Sequence, residues 1–287
     1  MNDVFSFQRL GLLLRKFLKE HFYTYLLYIA GLFGILFVLY GLTMISALKE
    51  RFPVDVPPIY FLGGLILGSF IFASSFYSFF NNKAKGIQFL NLPSSHAEKL
   101  VLGFLFTQIV FFITYFLVFF VIDRLMGGIY DQFHTIKASV PREYYQFYRS
   151  VPMDFTERHV IGGIILAIVL SAMAHYGSLI FEKHAFVKAG LIVLIIGFLH
   201  IYYNFFSMKA MIPEEAMPGG MFYTESLRLN DTNSVRYEGE MKIVTNSIRG
   251  VILLPKSWDK FLYWFLPSFL YLMFWGASYF KLKEKQV

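Results

Sequence analysis

Charged residues are scarce in this chain. Only 16% of its 287 residues are Asp, Glu, Lys or Arg, and 56% are hydrophobic, whereas a soluble globular protein carries about 25% charged residues. This balance indicates a membrane protein and excludes an ordinary soluble domain. Cysteine is absent, which excludes disulfides, thiolate zinc sites and covalent haem attachment.

Signatures of catalysis are also missing. The chain has no G-x-x-x-x-G-K-[ST] segment, so we expect no ATP hydrolysis by the chain itself. It has neither H-E-x-x-H nor G-x-S-x-G. We therefore expect a protein that is not an enzyme and that carries no metal and no cofactor of its own. Nothing in the sequence indicates nucleic-acid binding.

Long uncharged segments are what the chain has in abundance. About 20 apolar residues cross a bilayer core as a helix, and unbroken apolar runs exclude the alternating pattern of a membrane β-barrel. The sequence predicts an all-α polytopic membrane protein with six transmembrane helices. They fall at residues 22–48, 56–82, 100–122, 159–181, 189–208 and 261–280.

Charge predicts the orientation of these helices. If the N-terminus is cytoplasmic, the segments 1–21, 83–99, 182–188 and 281–287 together carry the whole net charge of +7, and the segments on the other side sum to zero. Positive charge collects on the cytoplasmic side of membrane proteins. We expect both termini in the cytoplasm, a plasma (inner) membrane of a prokaryote, and contact of the basic side with lipid headgroups.

The first 21 residues predict an amphipathic helix in the plane of the cytoplasmic interface. Its simplest role is a membrane collar, and a specific docking role is the alternative. Apolar and charged side chains segregate at helical spacing: Phe7, Leu10, Leu13, Leu14, Phe17 and Leu18 on one face, Arg9, Arg15, Lys16, Lys19 and Glu20 on the other.

The remaining connections suggest four divisions of the chain. After the N-terminal helix, residues 22–206 hold the first five membrane helices, with an external loop at 123–158. Residues 207–260 predict a small external α/β elaboration, because apolar and polar residues alternate around the turn-forming residues 230–233, as in a β-hairpin. Residues 261–287 hold the sixth membrane helix and a cytoplasmic tail.

Residues 81–99, termed the elbow, contain several sequence signals for the start and end of helices. A short apolar-edged segment is followed by Pro93, which biases the residue before it away from helical geometry. Ser95 and Glu98 then fit a capping box that starts a new helix. The sequence predicts a helix, a break and a second helix that leads directly into the third membrane helix. An ordinary well-capped loop is the alternative.

Polar side chains within the apolar runs are candidates for a substrate path. They are Ser74, Ser78, His175, His200 and Asn204. Polar groups at membrane depth usually face the bundle interior, but an interhelical hydrogen bond that only fixes packing is the simpler explanation. Gly64 and Gly68 form a G-x-x-x-G pair, which predicts close helix packing within the subunit or across a dimer.

The "Leu-Pro-small-Ser-x-x-Glu-Lys" element between the second and third helices resembles the permease subunits of ABC type-2 exporters. The matching residues are Leu92, Pro93, Ser95, Glu98 and Lys99. The N-terminal helix resembles the connecting helix of that family, and the plan of six membrane helices is similar. The resemblance implies that the elbow is a coupling helix for a separate ATPase, formed by Gly86, Ile87, Phe89, Leu90, Leu92, Pro93, Ser95, Glu98 and Lys99.

The same resemblance implies the partners. They would be an ATP-binding-cassette subunit that carries ATP and Mg²⁺, and a second permease, either a copy of this chain or a homologue. The substrate path would run between the subunits along the second and fifth helices. The alternative function is a membrane scaffold that does not transport and that binds an envelope protein through its external loops.

Overall fold

The computed structural model describes residues 5–47, 56–133, 150–181, 184–211, 232–238, 241–247 and 261–285. This part of the chain is dominated by helix, as the composition predicts. Five helices are long and apolar enough to cross a membrane: Phe7–Ala47, Val56–Ser75, His96–Phe133, Arg158–Ile180 and Ala185–Tyr203. The helical membrane class is therefore confirmed, with five helices of spanning length in the described residues.

The helices follow one another along the chain with short irregular turns between some of them. In order they are α1 (Phe7–Ala47), α2 (Val56–Ser75), a 3₁₀ turn (Ser78–Asn81), α3 (Lys83–Leu90), α4 (His96–Phe104), a π-helical segment (Leu105–Val110), α5 (Phe111–Phe133), α6 (Arg158–Ile180), α7 (Ala185–Met211), a second π-helical segment (Phe261–Phe265) and α8 (Leu266–Glu284).

The N-terminal helix is not a separate element. α1 runs without a break for 41 residues, which at about 1.5 Å per residue is roughly 60 Å, twice the thickness of a bilayer core. The predicted boundary at residue 21 is therefore wrong as a helix boundary. The sequence 16–26 contains no proline or glycine, so nothing interrupts the helical hydrogen bonds there.

Other predicted boundaries shift as well. α2 ends at Ser75, and the predicted last turns of the second membrane helix form the 3₁₀ turn instead. α5 continues to Phe133, so the start of the predicted loop 123–158 is helical. The sixth predicted helix is divided between the second π-helical segment and α8, and α8 is not among the helices of spanning length and hydropathy.

Two strands form an antiparallel pair. β1 (Thr232–Glu238) pairs with β2 (Met241–Ser247), and Glu238 lies opposite Met241. The predicted turn at residues 230–233 is wrong, because Thr232 and Asn233 belong to β1.

The chain divides into two compact units, residues 1–189 with 268–287, and residues 190–267. Within the first unit, one apolar core joins α1, α2, α5 and α6 around Tyr40, Phe61 and Tyr115. A second core lies where the start of α1 meets the elbow, α4, α6 and α8. It contains Leu13, Phe17, Phe76, Tyr77, Phe89, Leu102, Phe106, Leu179 and Leu282.

The G-x-x-x-G pair on α2 is used inside the subunit. A side chain added at Gly64 would run directly into the Tyr115 hydroxyl, and one added at Gly68 would lie 3.1 Å from the Phe111 ring. The Tyr115 hydroxyl donates to the Phe61 carbonyl at 2.9 Å. Of the two predicted uses of this pair, the structure therefore shows the intramolecular one.

Candidate functional site

The first helix of the elbow begins and ends with clear local signals. Asn82 is the N-cap of α3, and its side chain accepts from the backbone N–H groups of Ala84 (3.0 Å) and Lys85 (3.4 Å). Asn side chains stabilise helix starts by satisfying such N–H groups. α3 stops at Leu90, three residues before Pro93, and the predicted helix and break are confirmed.

The second helix of the elbow starts with the predicted capping box. The Glu98 backbone N–H donates to the Ser95 hydroxyl at 3.2 Å, and the Ser95 N–H donates to Glu98 Oε2 at 2.9 Å. These reciprocal bonds satisfy two N–H groups that a helix start leaves without partners. α4 then continues through the π-helical segment into α5, as the sequence predicts.

Glu98 also joins the elbow to the start of α1. Its Oε1 accepts from the Ser6 N–H at 2.7 Å and from Arg9 Nη2 at 3.0 Å. The Glu98 side chain is fully buried and Arg9 is 30% exposed. A buried carboxylate is costly unless it is paired and hydrogen-bonded, and here three donors from two elements meet that need.

Lys99 joins the two helices of the elbow. Its Nζ donates to the Leu90 carbonyl at 2.7 Å, at the C-terminal end of α3, and lies 5.7 Å from the Phe89 ring centroid. A cation near a helix C-terminus is favoured by the unpaired carbonyls there. Successive residues of a helix point about 100° apart. Glu98 can therefore contact the start of α1 while Lys99 contacts the end of α3.

Phe89, the aromatic residue of α3, packs the elbow against the 3₁₀ turn. Phe89 is buried and packs on Phe79 of the 3₁₀ turn, with ring centroids 4.7 Å apart. Gly86 lies against Phe80, so that an added Cβ would be 2.9 Å from the Phe80 ring. The inner face of α3 is therefore occupied by contacts within the chain.

The predicted coupling residues fall into three groups by burial. Five are buried in the chain's own packing, Gly86, Phe89, Ser95, Glu98 and Lys99; Leu90 and Leu92 are half-buried; Ile87 and Pro93 are exposed. A buried side chain cannot contact another protein directly. Glu98 and Lys99 therefore determine the shape of the elbow, and Ile87, 58% exposed, is its most accessible large apolar side chain.

The structure describes the surroundings of three of the five predicted substrate-path residues, Ser74, Ser78 and His175. Ser74 is buried and donates to the Ile71 carbonyl of its own helix, whereas Ser78 is exposed in the 3₁₀ turn. α2 ends between them, so they do not lie on one face of a single helix. His200 and Asn204 belong to α7, and their side chains lie outside the part of the chain that is described.

His175 is an aromatic packing residue in this structure. Its ring is fully buried, with ring centroids 4.5 Å from Trp275 and 4.9 Å from Tyr77, and neither ring nitrogen has a hydrogen-bond partner among the described residues. The interhelical hydrogen bond expected of it is therefore absent. Among the described residues no group of three or more His, Cys, Asp or Glu side chains could hold a metal ion.

Two buried polar contacts were not predicted. Gln108, within the π-helical segment, donates to the Ser171 hydroxyl of α6 at 2.7 Å. Tyr40 of α1 donates to Asp123 of α5 at 2.7 Å. A glutamine inside an apolar run is itself a sequence signal for a packing bond. Asp123 directly follows an uncharged run, so the sequence does not distinguish it from a loop residue.

Comparison of the chain with protein-family models, with curated proteins and with solved structures finds no match. The elbow is thus characterised by its own geometry. It is a pair of short helices with a corner at Pro93. The buried Glu98 connects it to the start of α1, and the buried Lys99 connects its two helices to each other. It leaves one edge of α3 exposed.

Proposed function

We propose that this chain is the permease subunit of an ATP-binding-cassette exporter, driven by a separate ATPase subunit. The observation that carries the proposal is the elbow. Its buried side joins α1, α3 and α4 through Glu98 and Lys99, and its exposed side presents Ile87 next to polar residues. An exposed apolar residue on a short rigid helix suits insertion into a groove of a partner.

The contacts supply a route for force. Pressure on Ile87 acts on α3, from which the Lys99 bond to Leu90 leads to α4. The Glu98 bonds to Ser6 and Arg9 lead to α1. α4 and α1 both continue into helices of spanning length. A push on the elbow would therefore move two membrane helices together.

The finer features of the proposal come from the sequence and from its resemblance to ABC type-2 permeases. Six membrane helices fit the six uncharged runs, cytoplasmic termini fit the charge distribution, and the membrane would be the plasma membrane of a prokaryote. Two permease chains would pair, with the substrate path between them along the second and fifth helices and with ATP and Mg²⁺ on the ATPase. Ser74 is engaged with its own helix, so the remaining candidates for that path are Ser78, His200 and Asn204.

The scaffold alternative rests on the external loops. Residues 134–149, 212–231 and 248–260 of those loops lie outside the described residues, and the described part of the loop at 207–260 includes the β1–β2 pair. The scaffold alternative makes a different prediction for the elbow. A scaffold that binds an envelope protein externally would be indifferent to changes at Ile87.

Substitution of Ile87 tests the proposal. The full chain is expressed together with the proteins encoded beside its gene and purified, and the co-purified ATPase and its ATP hydrolysis are measured. Burying an isoleucine at an interface contributes about 1.5–3 kcal/mol, so we expect Ile87→Asp to reduce the ATPase retained by about tenfold or more. Because Ile87 is exposed, the variant should remain folded and monodisperse.

Val151→Asp is the matched control, because Val151 is also an exposed apolar side chain but follows α5 on the predicted external side. It should retain the ATPase at the level of the unmodified chain. Failure of any ATPase to co-purify with the unmodified chain would overturn the proposal. Equal retention by Ile87→Asp and Val151→Asp would do so as well.

A further inference from the structure

A cavity of about 640 Å³ lies beside the elbow and is lined by α1, the end of α2, the 3₁₀ turn and α3. Its volume is within the range of about 300–1,000 Å³ that small-molecule sites occupy. Lys85 and Gln88 on its wall are exposed, so the cavity opens at the surface. None of the coupling contacts described above fills it.

The residues that line the cavity change from charged to aromatic along α1. Lys16, Glu20 and His21 line one end, and Tyr25 and Tyr28 line the other. The uncharged run of α1 begins at residue 22, so the cavity crosses from the charged part of the helix into its apolar part. Phe72 and Phe76 of α2 continue the aromatic wall. The cavity is therefore amphipathic, with a polar end and an aromatic end.

The polar end has an excess of positive charge. Lys16 lies 3.8 Å from Glu20, so these two charges offset each other. Within the described residues, Lys85 has no carboxylate within 4.0 Å. His21 and the amide of Asn81 or Gln88 add groups that can donate hydrogen bonds. The wall thus has one uncompensated positive charge, which matches a ligand group with a single negative charge.

We propose that this cavity binds the headgroup phosphate and the first acyl segments of an anionic phospholipid with one net negative charge. A phosphate diester whose charge is not offset by a cation in the headgroup meets the charge of Lys85 and the nearby donors. The acyl segments meet Tyr25, Phe72 and Phe76. An amphiphile fits both ends at once, whereas free phosphate would leave the aromatic end without a partner. The lipid would contact α1 and α3 together and so stabilise the elbow against α1.

The lipid site is independent of the transport proposal. It requires that the chain sits in a membrane with the polar end of the cavity at the headgroup level, and it requires no ATPase. Failure of the lipid experiment leaves the ATPase experiment unaffected, and the reverse is also true.

Native mass spectrometry of the purified full chain tests the site. The chain is titrated with phosphatidylglycerol or with phosphatidylcholine of the same acyl chains. We expect phosphatidylglycerol to bind about tenfold more tightly, and Lys85→Gln to remove that preference. Lys83→Gln is the matched control, because Lys83 is an exposed lysine of the same helix but does not line the cavity. It should keep the preference.

Two further arms separate the possible ligands. Ser75→Trp would fill the aromatic end without changing any charge, since Ser75 lines the cavity, and it should weaken phosphatidylglycerol binding too. Inorganic phosphate at millimolar concentration should not displace the lipid. The proposal is overturned if both lipids bind equally, if Lys83→Gln has the effect of Lys85→Gln, or if inorganic phosphate displaces the lipid and Ser75→Trp has no effect.

Discussion

At the residue scale, Glu98 combines two kinds of contact that differ in how far they reach along the chain. The capping box with Ser95 is local, three residues away, and the spacing alone predicts it. The bonds to Ser6 and Arg9 span about 90 residues. Nothing in the spacing of those residues indicates that they meet. The sequence therefore predicts the capping role of Glu98 but not its tertiary contacts.

Substitution of Glu98 should destabilise the protein. Glu98→Gln keeps the shape but removes the charge, and it places an NH₂ donor among the N–H donors of Ser6, Ser95 and Arg9. A hydrogen bond to a charged group contributes about 1.5–3 kcal/mol, so we expect a loss of about 2 kcal/mol, measured as a lower thermal unfolding midpoint by circular dichroism in detergent.

Glu20→Gln is the control for this prediction. Glu20 also pairs with a basic residue, Lys16, but both side chains are largely exposed, and exposed pairs contribute about 0–1 kcal/mol. Its unfolding midpoint should stay close to that of the unmodified chain. Equal midpoints for Glu98→Gln and Glu20→Gln would contradict the stabilising role assigned to the buried carboxylate.

At the element scale, the packing of α2 depends on small residues at particular positions. Gly64 and Gly68 face aromatic side chains of the run that contains Phe111 and Tyr115. Gly63, one position along, has open space where a side chain would be. The G-x-x-x-G spacing predicts which face of the helix packs closely. It does not predict whether the partner is the same chain or a second copy, because both would contact the same face.

Gly64→Ala should therefore destabilise the protein, since its methyl group would overlap the Tyr115 hydroxyl. Overpacking of this kind costs about 1–3 kcal/mol. Adding Tyr115→Phe removes the hydroxyl and leaves the nearest ring carbon at 3.3 Å, so the double variant should recover part of the loss. Thermal unfolding midpoints of the three variants measure this coupling.

Gly63→Ala serves as the comparison for Gly64→Ala. It introduces the same methyl group on the same helix and should not lower the midpoint, because alanine is also the better helix former. If the double variant were as unstable as the sum of its two single variants, the Tyr115 hydroxyl would not be the group that Gly64 accommodates.

At the scale of the whole molecule, orientation rests on the distribution of charge. The absence of cysteine makes it simple to test, because any thiol introduced is the only one in the chain. Lys83→Cys, in the elbow, and Val151→Cys, after α5, both replace exposed residues. The orientation predicted from charge places them on opposite sides of the membrane.

A membrane-impermeant maleimide should label Val151→Cys in right-side-out membrane vesicles and Lys83→Cys only in inside-out vesicles. Labelling of both in detergent shows that both thiols are reactive. Labelling of Lys83→Cys in right-side-out vesicles would reverse the assigned orientation. It would also remove the elbow from the compartment in which an ATPase partner would be found.

Local sequence alone predicts the helical membrane class, the proline break of the elbow and the Ser95–Glu98 capping box. Each of these depends on residues that are neighbours along the chain: hydropathy accumulates over about 20 positions, and a cap reaches only three. These features can therefore be predicted from a short segment of sequence.

The tertiary structure decided which predicted coupling residues point inward, where Glu98 and Lys99 find their partners, and that a cavity lies between α1 and α3. It also decided that α1 continues through the predicted boundary and that His175 packs against rings. These outcomes depend on side chains from distant segments competing for the same space and the same hydrogen-bond donors. Burial and hydrogen-bond pairing depend on how the assembled helices pack, so they cannot be predicted from any single helix.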